Sequence, residues 1–250
     1  GYERKSGRRE TGGLRLFDDE EVKQHIITRM QQISERYKDK IPTIEVTNEM
    51  FWENGISNFY KNPEFMEFCF KQAAKYFPDN TLCINEWSGA IWDDNSMPWD
   101  AYSMQIENLL LKGARVDAVG AQYHMFYRKE DYFHCTRKFY NLAHCLKVLD
   151  NYARFNKPVQ ITEITIPAYT AEEHDEQLQA DVIEKLYSMW FSYPAITQII
   201  YWNLVDGYAA FTTPGNMADG ENYYRGGLLR FDMSEKPAYK RIKHLIKDVW

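Results

Sequence analysis

Short β-branched runs alternate with amphipathic helical stretches along almost the whole chain, and this alternation narrows the available folds more than any other feature. IPTIEVT, TLCINE, VDAVGAQYH, PVQITEI and TQIIYWNL read as strands, with helical patterns between them. In DDEEVKQHIITRMQQISERYK the apolar residues Val22, Ile26, Ile27, Met30 and Ile33 fall on one face and acidic residues fill the first turn, which predicts a helix over about 18–38. Further helices are expected over 63–76, up to about Gly113, over about 134–155 and 172–192, and in PAYKRIKHLIKDVW. Strict alternation marks a parallel α/β architecture whose right-handed crossovers place the helices outside the sheet. The tight repeats favour a closed (β/α)8 TIM barrel over an open sheet.

The strand count falls short of that barrel. Five strands are read from the sequence, whereas closure of this type takes eight. Five parallel strands alone leave two unpaired edges and an uncovered inner face, an arrangement prone to aggregation. Either three further strands lie upstream, or the missing wall comes from elsewhere.

With 250 residues and 44% apolar composition, the chain can bury one sizeable core and is most simply one domain. A net charge of −6 with both signs interspersed gives nucleic acid no electrostatic footing. The one basic stretch, Arg4 to Arg9, lies among Gly1, Gly7, Gly12 and Gly13 and reads as solvated linker. Residues 1–15 are therefore assigned to a linker or insertion junction and 16–250 to the folded part. No apolar run reaches the length needed to span a membrane. Cys69, Cys83, Cys135 and Cys145 show no CxxC pair and no metal spacing. Their even number permits disulfides without requiring them, and Cys83 inside TLCI is expected to be a buried thiol. No leader pattern is present, and the chain begins at Gly rather than Met, so an upstream segment stays open.

Glu49 and Glu163 stand 114 residues apart, and each closes a β-branched run. In a β/α barrel the active site forms at the carboxyl ends of the strands, where side chains of different strands converge. Alternation within GAQYH puts Gln122 and His124 on one face and Tyr123 on the other. Two inward polar side chains are expensive in a sealed core, so they are either satisfied by neighbours or face a wet site. His124 alone would read as a hydrogen-bonded structural histidine.

Taken in order, TNE, INEW, VGAQYH, ITEI, IIYWNLVDG and GGLLRFDMSEKPAY resemble glycoside hydrolase family 10, the retaining endo-β-1,4-xylanases. The corresponding family strings are WDVVNE, NDYN, GxQxH, TELD, WGxxD and PLLFD…PKPAY. The resemblance runs from about residue 18 to the C-terminus. It implies that this chain supplies the fourth to eighth β/α units of the barrel, with the first three upstream. It also implies cleavage of β-1,4-xylosidic bonds in xylan or xylo-oligosaccharide, with Glu49 as acid/base and Glu163 as nucleophile.

Carried over residue by residue, the resemblance gives Asn48 a contact with the sugar 2-hydroxyl, makes Gln122 a binding residue and hydrogen-bonds His124 to the nucleophile. Trp202 would wall the cleavage subsite, Asn85 and Trp87 would line the cleft, and Asp206 would be a supporting acid. Retention needs one carboxylate ionised for attack and a second protonated for the leaving oxygen. Burial and nearby negative charge would keep Glu49 protonated, and hydrogen bonds from groups such as His124 and Asn48 would keep Glu163 charged. The two carboxyl groups are expected about 5 to 5.5 Å apart.

Departures bear on specificity. Trp87 and Ser88 replace a tyrosine and an asparagine, Thr165 replaces the acid of TELD, and GYAAF lacks a tryptophan often found after Asp206, leaving that wall more open at Ala210 or Phe211. The family's GHTLVWH and the Lys and Asn of its second strand are absent. Some gut-bacterial members carry a carbohydrate-binding module inserted after the third strand, and the Gly-rich start here is where such an insertion would rejoin. Trp52, Trp92, Trp99, Tyr127 and Tyr169 either stack on sugars or pack their own loops. Another plant polysaccharide, or a non-catalytic carbohydrate-binding barrel, is the competing reading. No cofactor or metal is implied, and a polymer substrate points to an extracellular, periplasmic or cell-surface location.

Overall fold

A computed structural model describes residues 18–51, 62, 64–93 and 97–250. Helix α1 (Asp19–Tyr37) opens on a capping box: Asp18 accepts the backbone N–H of Glu21, and the Glu21 carboxylate accepts that of Asp18. The reciprocal bonds satisfy two donors that a helix start would leave unpaired. The chain then alternates through β1 (Thr43–Asn48), α2 (Glu64–Tyr76), β2 (Thr81–Asn85), α3 (Ala101–Leu111) and β3 (Ala118–His124). After the short α4 (Tyr132–Thr136) and α5 (Leu142–Ala153) come β4 (Val159–Thr165), α6 (Glu173–Ser192), β5 (Ile196–Ile199) and α7 (Pro237–His244). The five strands form one parallel sheet in the order β1-β2-β3-β4-β5. These are five consecutive β/α units.

The core lies between the outer face of this sheet and the helices. From β3, Val119, Ala121 and Tyr123 point into it, and the Tyr123 ring meets Trp92, Phe139 and Trp190 edge-on with centroids 4.8, 5.2 and 4.9 Å away. Burying four large aromatic side chains together supplies much of the apolar driving force here. Trp92 is fully buried in a wide helical turn, Gly89–Asp93. The segment expected as one helix over 134–155 divides in two. The Phe139 carbonyl accepts from the Tyr123 hydroxyl, and Asn141 caps α5 by accepting the His144 N–H.

Pairing in two strands slips by one residue. Ala121 pairs with Ile161 but Gln122 pairs with Glu163, so β4 carries an extra residue at Thr162. In β1, Glu45 pairs with Cys83 but Thr47 with Ile84, leaving Val46 extra. Such bulges re-aim the side chains beyond them. The last strand is shorter than read from the sequence, yet Ile200 and Trp202 still donate to the Ile161 and Ile164 carbonyls, so the backbone follows β4 as far as Trp202.

Among the described residues, β1 and β5 each pair on one side only, and Glu45, Asn48, Ile200 and Leu204 are exposed beside those edges. The two open edges expected of five strands are present among the described residues, but the inner face is not bare: Asn85, Gln122, Gln160 and Thr162 are buried there. All four cysteines are free thiols; Cys69, Cys83 and Cys145 are buried. No helix among the described residues is long and apolar enough to cross a membrane. The basic segment Arg4 to Arg9, the whole of the 1–15 junction assignment and Trp52 lie outside the described residues.

Candidate active site

The carboxyl ends of β1, β2, β3 and β4 surround a cavity of about 580 Å³, which also reaches Trp202 beyond β5. Glu49 follows β1 directly and holds a left-handed backbone with φ 54°, its N–H on the Asn85 carbonyl at 3.3 Å. Glu163 enters from β4. Simple alternation would set it on the face of Ile161, which packs in the core. The bulge at Thr162 instead turns it inward, opposite Gln122.

Gln122, fully buried at the floor, joins the two carboxylates. Its Nε2 donates to Glu49 Oε1 at 2.9 Å, Glu163 Oε1 at 3.1 Å and Asn48 Oδ1 at 3.0 Å. Two oxygens bonded to one nitrogen at those distances are at most about 6 Å apart, below the 6.5–9.5 Å range that admits a water for inversion and compatible with retention. His124 Nε2 lies 3.1 Å from Glu163 Oε2 and its Nδ1 2.9 Å from Thr165 Oγ1. With the Thr165 hydroxyl donating to Nδ1, the ring proton sits on Nε2 and points at Glu163. Thr165, read as the loss of a supporting acid, thus orients the histidine with a hydroxyl. The His124 ring stacks on Phe126, 4.4 Å between centroids and 13° apart in plane, and meets the Trp202 edge at 5.9 Å.

Not every expected contact is made. Asn48 lines the cavity but does not bond to Glu163; its Oδ1 receives Asn85 Nδ2 and Gln122 Nε2. Asn85 does not line the cavity, because it is fully buried beneath Asn48, where it also accepts from Thr162 Oγ1 at 2.7 Å. Gly120 makes room for it, since a Cβ there would come within 2.5 Å of Asn85 Oδ1. Asp206 lies away from the cavity: it accepts the Gly227 N–H at 2.8 Å and pairs with the fully buried Lys236 at 3.2 Å. Burial pushes Asp206 up and Lys236 down, each against the partner's opposite charge. Trp87 does line the cavity, its indole lying across Gly89, where a Cβ would meet the ring at 2.5 Å. Of the loop aromatics, Tyr127 faces the cavity, Trp92 donates to the Gln122 carbonyl from the core, Tyr169 donates to the Tyr127 carbonyl and Trp99 is exposed.

Three further carboxylates escaped the sequence reading. Glu86 is fully buried, and its carboxyl receives the backbone N–H groups of Met50, Phe51 and Trp87. Burial outweighs those bonds and, with the charge of Glu49, lifts it to about 7. Glu86 therefore grips the two residues that follow Glu49. Glu45, on β1, is hydrogen-bonded to Asn85; burial first and the negative charge of Glu163 next raise it to about 7. Its side chain is nonetheless open to solvent at the free edge of β1, so the burial contribution is weaker than for Glu86. Glu221, from the loop after β5, is on the cavity wall. A sequence signal existed for the first two, since an acid inside a β-branched run and an acid at a strand end are both unusual placements. Among the described residues no acidic, histidine or cysteine cluster could hold a metal ion.

The model of glycosyl hydrolase family 10 matches residues 12–245. Endo-1,4-beta-xylanase B of Thermotoga neapolitana is 24% identical over 239 residues, covering 93% of this chain and 64% of that protein. Endo-1,4-beta-xylanase A of Xylanibacter ruminicola is 33% identical over 122 residues, covering 44% of this chain and 32% of that protein. The chain spans less than two thirds of the length of these curated relatives. Among solved structures, native xylanase 10B from Thermotoga maritima superposes with a TM-score of 0.72 at 26% identity, covering 93% of this chain and 68% of the other. Xylanase 10B from Thermotoga petrophila RKU-1 in complex with xylobiose does so with a TM-score of 0.68 at 25% identity, covering 93% and 68%.

Proposed function

Because this chain belongs to glycosyl hydrolase family 10, we propose that its site cleaves β-1,4-xylosidic bonds in xylan by a retaining double displacement, on part of a (β/α)8 barrel. Glu163 is the nucleophile and attacks the anomeric carbon. Glu49 protonates the departing oxygen and then, once the glycosyl–enzyme ester has removed the charge on Glu163, takes a proton from the incoming water. His124 Nε2–H and Gln122 Nε2–H donate to the two oxygens of Glu163, aligning it for attack. Trp87 and Trp202 offer apolar faces for the sugar rings. A polymeric substrate favours an extracellular, periplasmic or cell-surface location.

The observation that carries this reading is the single Gln122 nitrogen bonded to both glutamates, which keeps their facing oxygens within about 6 Å of each other, closer than the separation expected for inversion. Reducing-sugar release from xylan by the wild-type chain, beside Glu163→Ala, tests it. The expected result is release by the wild type and a loss of several orders of magnitude in the variant. Equal release by both would remove Glu163 from the role of nucleophile.

A further inference from the structure

The reacting pair leaves one acidic group on the cavity wall without a task. Glu221 is half-buried in the single helical turn Gly220–Tyr224. Its Oε2 accepts the Trp202 indole Nε1–H and the Asn203 Nδ2–H, each at 2.9 Å. No described residue donates to Oε1. An ionised carboxylate offers about four acceptor sites, so two donors on one oxygen leave the other with capacity for a ligand.

The support beneath Glu221 is stiff. The neighbouring Asn222 is buried, accepts the Ala209 N–H at 2.9 Å and donates to Thr212 Oγ1 and to the Thr213 and Asn216 carbonyls. One amide thus ties four points of the loop together. Asn203, held from the other side by Glu221, has a left-handed backbone with φ 62°, a conformation that persists where surroundings over-determine it. The carboxylate is held in advance of any ligand, as a binding group needs to be.

We propose that Glu221 is a sugar-binding residue of this cavity, one oxygen setting the Trp202 indole and the other accepting hydrogen bonds from hydroxyl groups of the sugar. The assignment rests on the reading that the cavity holds a xylose unit. A carboxylate accepting from hydroxyls makes bonds roughly twice as strong as neutral ones. The same charge disfavours an anionic substituent on the sugar at that position.

The test is calorimetric titration of xylotetraose into the Glu163→Ala chain, which binds without turnover, and into the same chain carrying Glu221→Gln or Glu221→Ala. Glutamine keeps an oxygen for Trp202 and Asn203 but turns an NH2 toward the cavity where an acceptor stood. Both variants should bind at least about tenfold more weakly, the loss expected with a hydrogen bond to a charged group, while the near-ultraviolet circular dichroism of the Gln variant stays that of the parent. Parental affinity in the Gln variant would reduce Glu221 to a support for Trp202 and overturn the proposal, whatever the Ala variant does. Absence of xylotetraose binding in the parent, together with no sugar release by the wild type, would instead overturn the reading of the whole cavity, and it would be seen before any change at Glu221.

Discussion

Glu49 and Glu163 come from strands that are not neighbours, yet both accept from one nitrogen, Gln122 Nε2, at 2.9 and 3.1 Å. An amide nitrogen has two hydrogens, and Asn48 Oδ1 shares them at 3.0 Å. The shared donor is what draws the two carboxylates together. Gln122→Met keeps the volume and removes the donor. It should lower kcat/KM on xylan by on the order of 10²-fold, the effect of losing one preorganised donor. Steady-state kinetics on soluble xylan would check this, and a change within threefold would deny Gln122 the bridging role.

General acid catalysis by Glu49 makes a leaving-group prediction. Glu49→Ala should lose about 10²- to 10⁴-fold on xylo-oligosaccharides and far less on an aryl xylobioside whose phenol departs unaided. Added azide should then raise turnover of the aryl substrate and give a β-glycosyl azide. Equal losses on both substrates, with no azide effect, would exclude Glu49 as the proton donor.

Glu86 should leave its mark on stability rather than on bond cleavage. Its carboxyl stands at about 7 in the folded chain against an ordinary value of 4.5, so between those limits the folded chain holds the more protons. Stability therefore falls as pH rises through that window, by about 3 kcal/mol once Glu86 is fully ionised. Glu45, raised in the same direction, adds to the slope less strongly because it is open to solvent. Glu86→Gln cannot ionise but loses an acceptor for the Met50, Phe51 or Trp87 N–H. In urea titrations it should be less stable than the wild type at pH 5, with the gap narrowing or reversing by pH 8. Parallel pH profiles would contradict the assignment.

The Asp206–Lys236 pair should be structural. Lys236 is fully buried and also donates to the Arg225 carbonyl at 2.8 Å, pinning the loop after β5 to the start of α7. Lys236→Met strands the Asp206 carboxylate in the interior and should cost about 3–5 kcal/mol, with much of it restored when Asp206→Leu is added. Denaturant midpoints of the two single variants and the double would show this; additive losses would argue against a coupled pair.

What could be read from the sequence follows from where period and position suffice. The strand–helix alternation, the glutamates at strand ends and the facing of Gln122 and His124 opposite Tyr123 all needed only local pattern. The inward turn of Glu163 did not, because Thr162 enters as a bulge defined by pairing with β3, and register across strands is not written in either strand alone. The resemblance sets Asn85 on the cleft wall; its burial follows from a neighbour, Gly120, that offers no side chain. Glu221 carried no local signal, since its place on the wall depends on a loop folded around Asn222.

The configuration of the first product tests the central claim most directly. Proton NMR of xylo-oligosaccharides freshly released by the wild-type chain, recorded before mutarotation, should show the β-anomer appearing first and α accumulating later, as expected for two carboxylates whose facing oxygens lie within about 6 Å. Initial release of the α-anomer would mean single displacement by water, and Glu163 would not be the nucleophile.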